Sequence, residues 1–151
     1  MANILIAFDR NHTRRKAYIS SIQGSISPVD GLDIKQCDGK DWSVIWASGK
    51  SAPVDWKVEA DGAAVLWGDA IDEKGCRQNA VSMFEAWKKN PDTVWDGYYA
   101  GFTAKQDGEL LVGADLLGIF PIYYWQKLDL LVISSSSELF TWLPHFNVSV
   151  D

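Results

Sequence analysis

Residues 113–140 read GADLLGIFPIYYWQKLDLLVISSSSELF, and the order of residue types here decides which fold class the rest of the chain must match. Two apolar runs, Ile122 to Gln126 and Leu130 to Ser134, are each a strand long and are separated by a short polar turn, the pattern of an antiparallel hairpin. Leu110 to Ala114 reads as a third strand ahead of them. Between these strands stand Asp115, Gly118 and Pro121, which describe a tight connection, since glycine allows an unusual backbone geometry and proline fixes φ beside it. The serines Ser134 to Ser137 directly follow a hydrophobic strand and are too few for a linker, and Ser136 to Trp142 reads as a helix.

Upstream, Tyr98 to Ala104 and the turn Gln106-Asp107-Gly108 extend the hairpin into a meander. Ahead of it the apolar period becomes helical: Ala80, Val81, Phe84 and Trp87 share a face, followed by Lys88, Lys89 and the stop signal Asn90-Pro91. Ile34 to Cys37, the turn Asp38 to Asp41, and Trp42 to Trp46 predict two further strands. Val54 to Val58, Asp61-Gly62 and Ala63 to Trp67 repeat the arrangement, so these four strands are expected in one antiparallel sheet. Trp42, Val44 and Trp46 fall on one face. Asn3 to Phe8 reads as a buried opening strand, and Thr13 to Ile22 as a short helix ending near Gly24. Helices covering antiparallel sheets make an α+β domain, and 151 residues fit a single one.

A net charge of −6 and a pI near 4.8, with basic residues only in short groups such as Arg14, Arg15, Lys16 and Lys88, Lys89, argue against nucleic acid and anionic membrane as partners. The Arg14 to Lys16 run is expected on a solvated face. Cys37 and Cys76 lack a CxxC spacing or a nearby histidine pair, so neither a disulfide framework nor a zinc site is indicated. The start shows no signal-peptide pattern, and no stretch approaches the roughly 20 apolar residues that span a bilayer. Cytoplasm is the expected location. The triplets Asn11-His12-Thr13 and Asn147-Val148-Ser149 match a glycosylation pattern that matters only in a secreted chain.

Familiar catalytic patterns are missing. Gly49-Lys50-Ser51 resembles the end of a phosphate loop, but Val44 stands where the loop's first glycine belongs. His12 and His145 are the only histidines, and a surface or packing role suits each better than a catalytic triad. Eight tryptophans could form a carbohydrate-binding platform, yet Trp42 and Trp46 follow strand periodicity and Trp87 helix periodicity, which points to a core.

The quoted segment resembles the end of the glutaminase domain of asparagine synthetases, where a strand leads into R-D-x-x-G-x-x-P-L-Y-Y and the next into A-S-E-I. Asp115, Gly118, Pro121, Tyr123, Tyr124, Ser137 and Glu138 match in order, with Ala114 in place of the arginine. Trp95 to Phe102 is similar to the family's L-x-G-x-F-A-F strand, and Phe84-Glu85-Ala86-Trp87 to the end of its preceding helix. The resemblance covers about half the chain, Trp67 to Phe140, and implies a four-layer αββα sandwich of the N-terminal-nucleophile-hydrolase type, two antiparallel sheets between helical layers.

It also implies where chemistry should sit. Active members start Met-Cys-Gly-Ile, and the exposed cysteine attacks the glutamine amide while its own α-amine handles the proton. Here the position is Ala2, followed by Asn3, so no catalytic residue is expected. The family's N-G-E motif corresponds to Trp67-Gly68-Asp69, an indole replacing the amide. Its D-x-E, whose aspartate holds the substrate amine, falls on Cys76-Arg77-Gln78. Trp67, Gly68, Asp69, Cys76 and Gln78 thus outline a vestigial pocket, and no counterpart of the R-G-P-D motif is found. In the family an ATP-pyrophosphatase-type synthetase domain with an S-G-G-x-D-S loop follows, and the chain stops where the linker into it begins. The expectation is a silent glutaminase-like domain of an amide ligase, of the kind seen in β-lactam synthetases and lasso-peptide cyclases. It would need no cofactor of its own, ATP and Mg²⁺ belonging to the synthetase domain, with that domain and a second copy of itself as partners. The alternative is a stand-alone domain reusing the emptied pocket for a small molecule or peptide.

Overall fold

The computed structural model describes residues 2–143 and 146. His145 and the Asn147 triplet lie outside them. The described elements are β1 (Ala2–Asp9), α1 (His12–Ile22), β2 (Asp33–Asp38), β3 (Trp42–Ser48), β4 (Val54–Glu59), β5 (Gly62–Ile71), α2 (Ala80–Lys89), β6 (Asp96–Lys105), β7 (Leu110–Ala114), β8 (Tyr123–Lys127), β9 (Leu130–Ser134) and a 3₁₀ helix (Ser137–Trp142). They divide into two compact units, residues 1–50 with 123–151, and 51–122.

The first unit holds a five-stranded antiparallel sheet in the order β2-β3-β1-β9-β8. Alternation puts Leu5, Ala7, Ile45, Ala47, Leu130 and Val132 on one face, where Tyr18, Ile19 and Ile22 of α1 and Leu139 and Phe140 of the 3₁₀ helix pack. Asn11 caps α1 by accepting from the Arg14 N–H. Ser134 and Ser135 tie β9 to β1: the Ser134 hydroxyl donates to Ile4 O at 2.8 Å, and Ser135 Oγ accepts from Ile4 N at 3.0 Å. The serine run is thus a polar seam in the sheet.

The second unit holds the antiparallel meander β4-β5-β6-β7. The helix α2, opened by a reciprocal capping box between Asn79 and Ser82, lies on one face. Its buried side chains are Ala80, Met83, Phe84 and Trp87, against Ala64, Leu66, Trp95 and Tyr99. Val81, expected on the apolar face, points to solvent, and Met83 takes that place. Gly113 of β7 leaves room for the indole of Trp87, since a Cβ there would lie 2.9 Å from the ring.

Two expectations are corrected. The four-layer αββα sandwich is not the architecture: strands hold 44% of the chain and helices 19%. One α-helix, about 10–12 Å across, covers little more than two strands spaced about 4.8 Å apart. Helices of 11 and 10 residues therefore form no full layer over sheets of five and four strands. Nor do β2 to β5 share one sheet. Both edges of β3 are occupied, by β2 and by β1, so β4 cannot pair beside it and starts the other sheet. The expected meander from β6 to β9 is likewise divided: β7 ends the second sheet beside β6, and β8 ends the first beside β9.

The tryptophans Trp42, Trp46 and Trp87 are buried as their periodicity predicts, together with Trp67 and Trp95, whereas Trp56 and Trp142 are about half exposed. Arg15 departs from the expected solvated face. It is 1% exposed, with Nε donating to Ser43 Oγ at 3.0 Å, Nη1 to Asp9 O, and Nη2 to Gly39 O and Lys40 O at 3.1 and 3.0 Å. Among the described residues no helix is long and apolar enough to cross a membrane.

Candidate functional site

The positions expected to carry chemistry separate in space. Ala2 begins β1 of the first unit, its backbone paired with Ser48 of β3. Trp67, Gly68 and Asp69 lie on β5 of the second unit, and Cys76 and Gln78 on the connection from β5 to α2.

Within the second unit, Asp69 is met by Tyr98 and Arg77, while Cys76 and Gln78 belong to the turn around Asp72. Asp69 is directly opposite Tyr98 of β6, whose hydroxyl donates to Asp69 Oδ2 at 2.8 Å. Arg77 Nε reaches Asp69 Oδ1 at 2.6 Å. Arg77 arrives there because the chain turns back on itself: it bridges to Ile71, and Gln78 N donates to Ala70 O at 2.8 Å. Asp72 closes the turn by accepting from the Lys74 and Cys76 N–H groups at 2.9 and 2.8 Å and from Gln78 Nε2 at 3.1 Å, an Asx-type arrangement. Two glycines make room for the pair. Gly68 and Gly97 have φ of +87° and +105°, and a Cβ on either would come within 2.2 or 2.1 Å of the carbonyl across, Tyr98 O or Asp69 O.

The electrostatics of the cluster are those of a saturated site. The hydrogen bond to Asp69, reinforced by its charge, raises the Tyr98 phenol above its ordinary pKa, so Tyr98 donates and is no base near neutrality. Arg77 neutralises the carboxylate. Cys76 is exposed on the turn, and Trp67 is buried at 1% exposure. Among the described residues no three His, Cys, Asp or Glu side chains gather to hold a metal ion.

The resemblance positions of residues 115–138 are structural in their surroundings. The Asp115 carboxylate accepts from the N–H groups of Leu117, Ile119 and Phe120, each at 3.0 Å, and Gly118 adopts φ +65° inside the loop so formed. Burial pushes the Asp115 carboxyl up, but the N–H groups of Ile119, Phe120 and Leu117 outweigh it and hold the carboxyl below its ordinary value. Pro121 is exposed, Tyr123 and Tyr124 open β8 with their side chains exposed, and Ser137 and Glu138 start the 3₁₀ helix, also exposed.

Sequence reasoning missed Tyr98 as the partner of Asp69. The available signal was its place next to Gly97, on a strand that pairs with one carrying Gly68. Arg77 stands out in the sequence only as the middle residue of Cys76-Arg77-Gln78. No protein-family model matches the chain, and no curated protein matches it.

Proposed function

We propose that this chain is a degenerate, catalytically silent glutaminase-like domain of an asparagine-synthetase-like, ATP-dependent amide ligase, and that it serves as a scaffold or dimerisation domain. The observation that carries the reading is the Arg77–Asp69 ion pair of 2.6 Å. In the resemblance, Asp69 belongs to the substrate-contacting N-G-E stretch, and Arg77 to the D-x-E stretch whose aspartate would receive the substrate's ammonium group. The chain supplies its own cation instead, and Tyr98 fills the second oxygen. A glutamine amine would have to displace a guanidinium that is covalently part of the protein. The sequence adds that Ala2 has no thiol to attack an amide.

On this reading the partner is the synthetase domain, which handles ATP and Mg²⁺, and the domain works in the cytoplasm, where thiols such as Cys37 and Cys76 stay reduced. Incubating the purified protein with glutamine is expected to release no glutamate above a blank. Glutamate release that disappears on cysteine alkylation would overturn the silence. Co-expression with a synthetase domain bearing S-G-G-x-D-S is expected to give a stable complex, and separate elution of the two would overturn the scaffold role.

A further inference from the structure

Four strands end the two sheets: β2 and β8 in the first, β4 and β7 in the second. Three of them carry charges that resist pairing with another chain, Asp33 and Lys35 on β2, Asp55 and Lys57 on β4, and Lys127 on β8. The fourth, β7, reads Leu-Leu-Val-Gly-Ala, with neither a charge nor a proline. It is partly exposed along its whole length, although residues 100–104 of β6, with which it pairs, are buried. We propose that β7 is a dimerisation edge: it pairs antiparallel with β7 of a second copy about a two-fold axis at Val112, joining two four-stranded sheets into one continuous sheet.

The backbone directions select the register. Lys105 N donates to Glu109 O at 2.8 Å and Asp115 N to Tyr99 O at 2.9 Å, so by alternation Leu111 and Gly113 also turn their N–H and C=O groups towards β6. Those of Leu110, Val112 and Ala114 point to the open edge. Two such edges meet donor to acceptor in several registers, but only the one centred on Val112 uses all three residues of both strands. In that register Leu110 of one copy stands opposite Ala114 of the other, and Leu111 opposite Gly113, so a large side chain meets a small one at each position off the axis. Moving the centre to Leu111 would set Leu111 against itself and run Ala114 past the end of the other strand.

This match is what singles out a second copy as the occupant. A strand of unrelated sequence would satisfy the backbone groups but not the alternation of large and small. Like charges meet only at the ends, Glu109 against Asp115. Both are already compensated, Glu109 by Lys105 and Asp115 by the N–H groups of its own loop. The helices leave room as well. α2 packs on Ala64 and Leu66 of β5, two strands in from the edge, so its two copies lie about 24 Å apart at roughly 4.8 Å per strand, about twice a helix diameter.

The dimer gives a surface to the dimerisation role proposed above and rests on that part of the reading alone. Glutamate release in the glutamine assay would strike the silence and leave the dimer standing. A seam this narrow belongs with small, reversible interfaces, so the dissociation constant should be on the order of 10–100 µM. The test is sedimentation velocity of the purified protein from about 1 to 300 µM, with amide hydrogen exchange followed by NMR at both ends of the range. A reversible dimer is expected, in which exchange at Leu110, Val112 and Ala114 slows severalfold at the higher concentration, while Leu111 and Gly113, bonded to β6 throughout, stay unchanged. Val112→Pro removes an outward N–H and no bond to β6. That variant should keep the parent's circular dichroism spectrum and weaken the dimer at least about tenfold. If it unfolds, the exchange pattern of the parent decides alone. A monomer at every concentration, or a folded Val112→Pro protein that dimerises like the parent, would overturn the proposal. A dimer whose exchange at the three outward residues ignores concentration would overturn it too, and would move the dimerisation role to another surface.

Discussion

Replacing Asp115 by alanine removes the acceptor for three backbone N–H groups in one step. One oxygen, Oδ1, takes Leu117 and Ile119, and Oδ2 takes Phe120, each at 3.0 Å. A hydrogen bond to a charged acceptor contributes about 1.5–3 kcal/mol. Leu116, Leu117, Gly118 and Ile119 are exposed, however, so water takes up part of the loss. The expected cost is therefore about 2–4 kcal/mol, below the plain sum of three bonds. With a urea m-value of about 2 kcal/mol/M, mid-range for a small domain, the unfolding midpoint should fall by roughly 1–2 M. Asp115→Asn separates the oxygens. Its remaining carbonyl can keep Leu117 and Ile119, but its NH₂ then faces the Phe120 N–H, donor against donor, and the cost should be intermediate. Hydrogen exchange should speed at Leu117, Ile119 and Phe120 in the alanine variant, and chiefly at Phe120 in the asparagine one. The pH dependence has a definite sign. The folded carboxyl titrates below its ordinary value, so its stabilisation is present above the unfolded pKa of about 3.9 and is lost as pH falls through the folded value. The gap between parent and Asp115→Ala should hold at pH 7 and narrow below about pH 4. A variant within about 0.5 kcal/mol of the parent at pH 7, or a gap that does not close in acid, would refute this account of the loop.

Arg15→Met should cost about 3–5 kcal/mol in urea unfolding, because the buried Asp9 carbonyl, the part-buried Gly39 and Lys40 carbonyls and Ser43 lose their donor together. Arg15→Lys should not rescue it, since one ammonium cannot reach all four. Gly113→Ala drives a methyl into the Trp87 ring, 2.9 Å away, and should cost about 1–3 kcal/mol, whereas Gly24→Ala, which meets nothing within 4 Å, should leave the unfolding midpoint unchanged. With iodoacetamide at pH 8, Cys76 on its exposed turn should alkylate first. The Cys37 thiol is pushed up to about 12 by burial and by Asp38, so about one molecule in 10⁴ carries the thiolate, and mass spectrometry should find it modified only after unfolding.

Every strand and both α-helices are legible in the order of residue types to within about four residues at each end. Strand alternation and helical spacing are properties of the local backbone, and turn residues such as Asp38 to Asp41 and Gln106 to Gly108 mark the boundaries. The Asp115–Gly118–Pro121 connection is legible too, because such a loop is built from residues close together in the chain. Which strands pair is not legible in the order of residue types and follows from long-range competition for strand edges. The period along β3 and β4 is the same whether they share a sheet or not; the choice fell when β1, some forty residues earlier in sequence, took the free edge of β3. For the same reason the four-layer expectation failed, since strand and helix patterns say what each element is but not how much sheet a helix covers. The choice of Met83 over Val81, the burial of Arg15 and the pairing of Asp69 with Arg77 and Tyr98 likewise depend on partners brought in from elsewhere in the chain. Solvation and charge compensation at a residue are set by such partners, and no local pattern encodes them.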